Sequence, residues 1–117
     1  MHAINRSTGV AMEEEREQIL VVDDDDGVRS LVRAVLRRHG HAVDTARDGA
    51  EAIQKVDGHR YALILLDLMM PKIDGLEFLE RVSEDLDDAG SMVVVMTAGD
   101  DTLVSRLDRR RVHGLIR

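Results

Sequence analysis

The chain has 117 residues, enough for one domain with a single core, and a formal charge of −7. That balance speaks against a general grip on nucleic acid, which rests on Lys and Arg neutralising phosphates, and Tyr61 and Phe78 are too few aromatics for a base-stacking platform. With no cysteine there is no disulfide framework or thiolate metal site, and no apolar run approaches the ~18–20 residues of a membrane span.

Residues 1–17 are polar, end in an acidic run and lack the apolar stretch of a secretory leader, so a disordered arm on a cytoplasmic domain is expected. From Gln18 onward, strand and helix patterns alternate. Residues 19–22 are a short β-branched run suited to a strand buried on both faces. Val28, Leu31, Val32, Val35 and Leu36 then fall on one helical face, with Arg29, Arg33 and Arg37 on the other, and Gly40 closes the helix. Asp25 and Asp26 supply the loop and the cap of that helix. A weaker strand follows over 41–46. Asp48 with Glu51 opens a second helix that runs to about Val56. The strongest strand pattern covers 61–66 and ends at Asp67. Asp74 with Glu77 repeats the cap and opens a helix with Leu76, Leu79, Val82 and Leu86 inward. Met92–Met96 reads as a fourth strand ending at Thr97. Asp100 or Asp101 caps a short helix carrying Leu103, Val104 and Leu107, and a fifth strand is expected over 112–116.

Such alternation, with nearly continuous apolar strands, argues for an α/β fold: a parallel sheet covered by helices on both sides. A flavodoxin-like three-layer sandwich with strand order 2-1-3-4-5 is among the few topologies that right-handed crossovers allow. Ligands of such sheets bind beyond the carboxyl ends of the strands, at the point where the winding reverses. There the sequence places Asp23 and Asp24 after the first strand, Asp67 after the third, and Thr97 with Ala98 after the fourth. Carboxylates brought that close repel unless a cation or proton lies among them, and an oxygen-only donor set suits Mg²⁺. A carboxylate beside such a cation can attack phosphorus to form an acyl phosphate, with the Thr97 hydroxyl and the Ala98 N–H as donors to phosphoryl oxygens.

Three stretches carry a family resemblance: Ile19-Leu20-Val21-Val22-Asp23-Asp24, the run from Leu65 through Asp67, Pro71 and Lys72 to Gly75, and Val93-Val94-Val95-Met96-Thr97-Ala98. Together with Asp48-Gly49, and in this order and spacing, they make residues 18–117 resemble the receiver domain of two-component response regulators. The resemblance implies that Asp67 is the phosphoacceptor, charged by a sensor histidine kinase or a phosphotransfer protein. It implies further that Asp23 and Asp24 hold Mg²⁺, that Met69 adds its backbone carbonyl to the metal, and that Thr97 is a switch hydroxyl. On this reading the chain turns over no independent substrate.

The family pattern goes on with a lysine after the fifth strand, then a proline and a last helix, whereas this sequence ends at Arg117, one position before the lysine. The expectation is therefore a receiver incomplete at its C-terminus, with the last helix missing and an uncovered face that lowers stability or drives formation of a homodimer. A degenerate receiver, serving as an interaction or dimerisation module without phosphorylation, stands as the alternative. An aspartyl phosphatase of the haloacid-dehalogenase type fits less well, because Asp67-Leu68-Met69 lacks its second acid.

Overall fold

Each apolar run of the sequence forms one strand of a single sheet, and the acid-capped segments between them form its covering helices. The computed structural model describes residues 18–70, 73–97 and 101–116; the expected arm at 1–17 lies outside them, as do Ala98, Asp100 and Arg117. In chain order the elements are β1 (Gln18–Val22), α1 (Asp26–Arg38), β2 (Ala42–Ala46), α2 (Gly49–Gly58) and β3 (Leu63–Asp67). There follow α3 (Gly75–Ala89), β4 (Met92–Met96), α4 (Asp101–Ser105), a 3₁₀ turn (Arg109–Arg111) and β5 (Gly114–Ile116). All pairings are parallel and the order is β2-β1-β3-β4-β5, as the alternation predicts.

Successive side chains of a strand point to opposite faces, so each central strand feeds two cores. Leu20, Val22, Ile64, Leu66, Val93 and Val95 pack with Ala52 of α2, with Phe78, Leu79, Val82 and Leu86 of α3, and with Val104 and Leu107 around α4. On the other face Ile19, Val21 and Leu65 meet Val32 and Leu36 of α1. Three of the helices start where the acids predict. Asp25 Oδ1 accepts from Val28 N–H at 3.0 Å, Asp48 Oδ1 from Glu51 N–H at 2.8 Å, and Asp74 Oδ1 from Glu77 N–H at 2.9 Å.

Several expectations are corrected. The apolar stripe of α1 is only half used: Val32 and Leu36 face the sheet, while Val28, Leu31 and Val35 are exposed, Leu31 by 64%. The reason is lateral. Helix α1 packs on β1 and β2, and among the described residues no element covers the same face over β4 and β5, where Met92 and Ile116 are also exposed. Strand β3 begins at Leu63 rather than 61, because Tyr61 is buried just before it with its hydroxyl donating to Asp44 Oδ2 at 2.7 Å. Strand β5 begins at Gly114 rather than 112. Here His113 N–H still donates to Val93 O at 2.7 Å, but the ring takes the place of a backbone carbonyl, its Nδ1 accepting from Val93 N–H at 3.0 Å. Phe78, which the sequence reading left out of the core, lies at its centre.

Candidate metal centre

The register of the sheet assembles the site. Val22 pairs with Leu66, so the next residues, Asp23 and Asp67, leave adjacent strands side by side. Asp67 in turn pairs with Met96, which sets Thr97 one residue beyond it. Carboxylate oxygens of Asp23, Asp24 and Asp67 lie within 4.8 Å of one another. They open into a cavity of about 350 Å³ whose other walls are Asp25, Val28, Met96, Thr97 and Ile116.

Each acid sits differently. Asp23 is buried, and its Oδ1 accepts from Asp25 N–H at 2.9 Å, whereas Asp24 is exposed. Asp67 is half-buried and its Oδ1 accepts from Met69 N–H at 3.0 Å. Burial pushes the Asp67 carboxyl up to about 6; the Met69 N–H opposes this, and the charges of Asp23 and Asp24 add to it. Burial likewise raises Asp23, against the bond from Asp25 N–H, with Asp24 and Asp25 contributing further. Three clustered carboxylates, two of them pushed toward the neutral form, are what a hard divalent cation would relieve, and their oxygen-only donor set fits Mg²⁺.

Glycine makes the close packing under Asp67 achievable. A Cβ on Gly75 would stand 2.6 Å from Asp67 O and 2.7 Å from Leu68 Cα, and Gly75 N–H donates to Leu68 O at 3.1 Å. The start of α3 is thereby seated directly beneath the loop that follows Asp67. Met69 turns its N–H to Asp67 while its side chain is exposed, as expected of a residue that would act only through its backbone. Thr97 is buried at the rim and its N–H donates to Ile116 O at 3.0 Å, while Ala98 lies outside the described residues.

One participant escaped the sequence reading. Arg29, assigned there to the solvent face, has a side chain only 17% exposed. Its Nη1 donates to Asp23 O at 2.7 Å and its Nη2 to Asp26 Oδ1. The signal was present: an arginine three residues after Asp26 and in the first turn of α1 can reach back over the helix start.

Residues 19–115 match the family described as the response regulator receiver domain. The chain belongs to that family. Among curated relatives, this receiver is 41% identical over 83 residues to response regulator MprA of Mycobacterium sp. (strain KMS), covering 71% of the chain and 35% of the relative. It is 43% identical over 81 residues to the transcriptional regulatory protein ResD of Bacillus subtilis, covering 69% of the chain and 32% of the relative. The receiver thus spans about a third of the length of these relatives. Solved structures agree in fold. The response regulator TrrA of Thermotoga maritima, in complex with Mg²⁺-BeF, superposes with a TM-score of 0.76 at 32% identity, over 86% of this chain and 84% of that one. The N-terminal domain of a receiver protein from Methanoculleus marisnigri gives a TM-score of 0.74 at 30% identity, over 85% and 81%. No described helix of this receiver is long and apolar enough to cross a membrane.

Proposed function

We propose that this receiver accepts a phosphoryl group on Asp67 from a sensor histidine kinase or phosphotransfer protein. Mg²⁺ would be held by Asp23, Asp24, Asp67 and the backbone carbonyl of Met69. The observation that carries the reading is the meeting of three carboxylates from two strand ends on one cavity, with Asp67 half-buried in its wall. The Mg²⁺ seen with TrrA supports carrying the cation to this site. Bound there, Mg²⁺ would offset the charge of the carboxylates and of the incoming phosphoryl oxygens.

The chain's own groups do the rest. The Met69 N–H holds one oxygen of Asp67 and so orients the carboxylate. The other oxygen attacks phosphorus in line while the donor's N–P bond breaks and its electron pair returns to the imidazole, which takes up a proton. The Thr97 hydroxyl and the Ala98 N–H act as donors to the phosphoryl oxygens, and movement of Thr97 toward them signals the modified state. No separate substrate is turned over, and the signal passes to a protein partner in the cytoplasm rather than to nucleic acid.

Acetyl phosphate with Mg²⁺, followed by intact-mass measurement, tests this. Wild type gains one phosphoryl group; Asp67→Asn, and wild type in chelator, gain none. Gain by Asp67→Asn, or none by wild type, overturns the assignment. The exposed set Val28, Leu31, Val35, Met92 and Ile116 favours a second reading, an interaction or homodimerisation module that is not phosphorylated. Under it the wild type shows no mass gain, yet sediments as a dimer that Leu31→Glu dissociates.

A further inference from the structure

Four consecutive aspartates, Asp23 to Asp26, make a loop that like-charge repulsion should splay, yet its backbone is tied at Asp23 and Asp25. Asp25 N–H donates to Asp23 Oδ1 at 2.9 Å, Asp25 Oδ1 caps α1 through Val28 N–H at 3.0 Å, and Asp23 N–H donates to Ala46 O at 3.1 Å. Arg29 N–H donates to Asp25 O at 2.9 Å, and the other ties come from its side chain. The Arg29 guanidinium bridges the two ends of the acidic run, from Asp23 O at 2.7 Å to the Asp26 carboxylate. It touches the carbonyl of Asp23 and none of the carboxylate oxygens grouped for a cation.

We propose that Arg29 is a positioning residue for the metal centre: its planar fork fixes the Asp23–Asp26 loop so that the Asp23 and Asp24 carboxylates are set for a divalent cation before one arrives. This rests on the metal-dependent receiver reading above. Two effects of Arg29 oppose each other. Ordering the loop in advance spares the cation that entropic cost and tightens binding. The guanidinium's positive charge repels the cation and loosens binding. The cavity is open to water, so the charge effect is screened, whereas the ordering is not. Ordering therefore dominates. A guanidinium spans two acceptors in a fixed plane and an ammonium does not, so lysine at this position keeps the charge but loses the bridge.

The test titrates Mg²⁺ alone into metal-free wild type, Arg29→Ala and Arg29→Lys, reading the dissociation constant from amide shifts of Asp24 and Met69. Amide exchange of residues 24–26 is measured before metal is added. Both variants should bind Mg²⁺ about tenfold more weakly, as loss of an outer support for metal ligands does, with faster exchange in the metal-free loop. The difference should persist in 1 M salt, where the screening length is about 3 Å. With acetyl phosphate, the Mg²⁺ concentration for half-maximal phosphorylation should rise while the rate at saturating Mg²⁺ holds, a split that mere loss of stability would not give. Tighter binding by Arg29→Ala with Arg29→Lys unchanged would show that charge governs, and overturns the proposal; so does equal affinity in all three. Should the Arg29 variants fail to fold, Asp26→Ala replaces them, because its side chain is 90% exposed. It should weaken Mg²⁺ binding in the same direction in 1 M salt, and no change there refutes the role. Failure of the wild type itself to bind Mg²⁺ would instead remove the underlying metal-site reading.

Discussion

Replacing Asp67 by Asn should stabilise the metal-free protein, although it destroys the proposed phosphoacceptor. The folded carboxyl sits at about 6 against 3.8 for the free group, chiefly through burial. The folded state therefore holds a proton more firmly than the unfolded one, so stability falls as pH rises from about 4 to about 6 and stays reduced above that. At 1.36 kcal/mol per pH unit the full shift is about 3 kcal/mol, and the open mouth of the cavity discounts this to about 1–2 kcal/mol. Asn keeps an oxygen for the Met69 N–H and carries no charge toward Asp23 and Asp24. Thermal unfolding in chelator at about pH 7 should place Asp67→Asn roughly 5–10 °C above wild type, a gap that closes toward pH 4. Millimolar Mg²⁺ should narrow the gap by raising wild type more than the variant. Parallel curves across this pH range, or a variant that melts below wild type at neutral pH, would refute the account of buried charge.

Gly75→Ala forces a methyl against Asp67 O and Leu68 Cα, so a loss of about 1–3 kcal/mol in chemical denaturation is expected, together with slower labelling of Asp67 by acetyl phosphate. Burial pushes the Asp44 carboxyl up, but bonds from Lys55 Nζ at 2.9 Å, the Tyr61 hydroxyl at 2.7 Å and Thr45 N–H at 2.9 Å together outweigh it and hold the group below its usual value. Its contribution is thus complete above about pH 4 and is lost as pH falls through the depressed folded value; Asp44→Ala should cost about 1–3 kcal/mol at neutral pH and flatten the acid limb of the stability profile. His113→Leu removes the acceptor for Val93 N–H at the base of β5 and should cost about 1 kcal/mol, while His113→Asn retains much of it; faster exchange of the Val93 amide in the leucine variant is the direct readout.

The sheet and the acids at its rim were legible because each is written in consecutive residues. Apolar runs such as 19–22 and Met92–Met96 admit little but buried strands, and parallel pairing carries their acidic ends to a single edge. Asp48 with Glu51 and Asp74 with Glu77 announce helix starts through chemistry local to one turn. Features that depend on where an element sits sideways were not legible. Periodicity gives α1 one apolar face but does not say that only Val32 and Leu36 reach the sheet. Nor does it reveal that Arg29 folds back over the loop, that Tyr61 stops short of β3 to reach Asp44, or that an imidazole stands in for a backbone carbonyl at the base of β5.

The lopsided core has a consequence for the acidic rim. Helix α1 contributes no fully buried side chain, whereas α3 contributes Phe78, Leu79, Val82 and Leu86. The helix that tethers the acid-rich turn is therefore held by less buried apolar surface than the helix seated beneath the loop after Asp67. Polar ties, the Arg29 bridge among them, therefore do more than apolar packing to hold that turn in place.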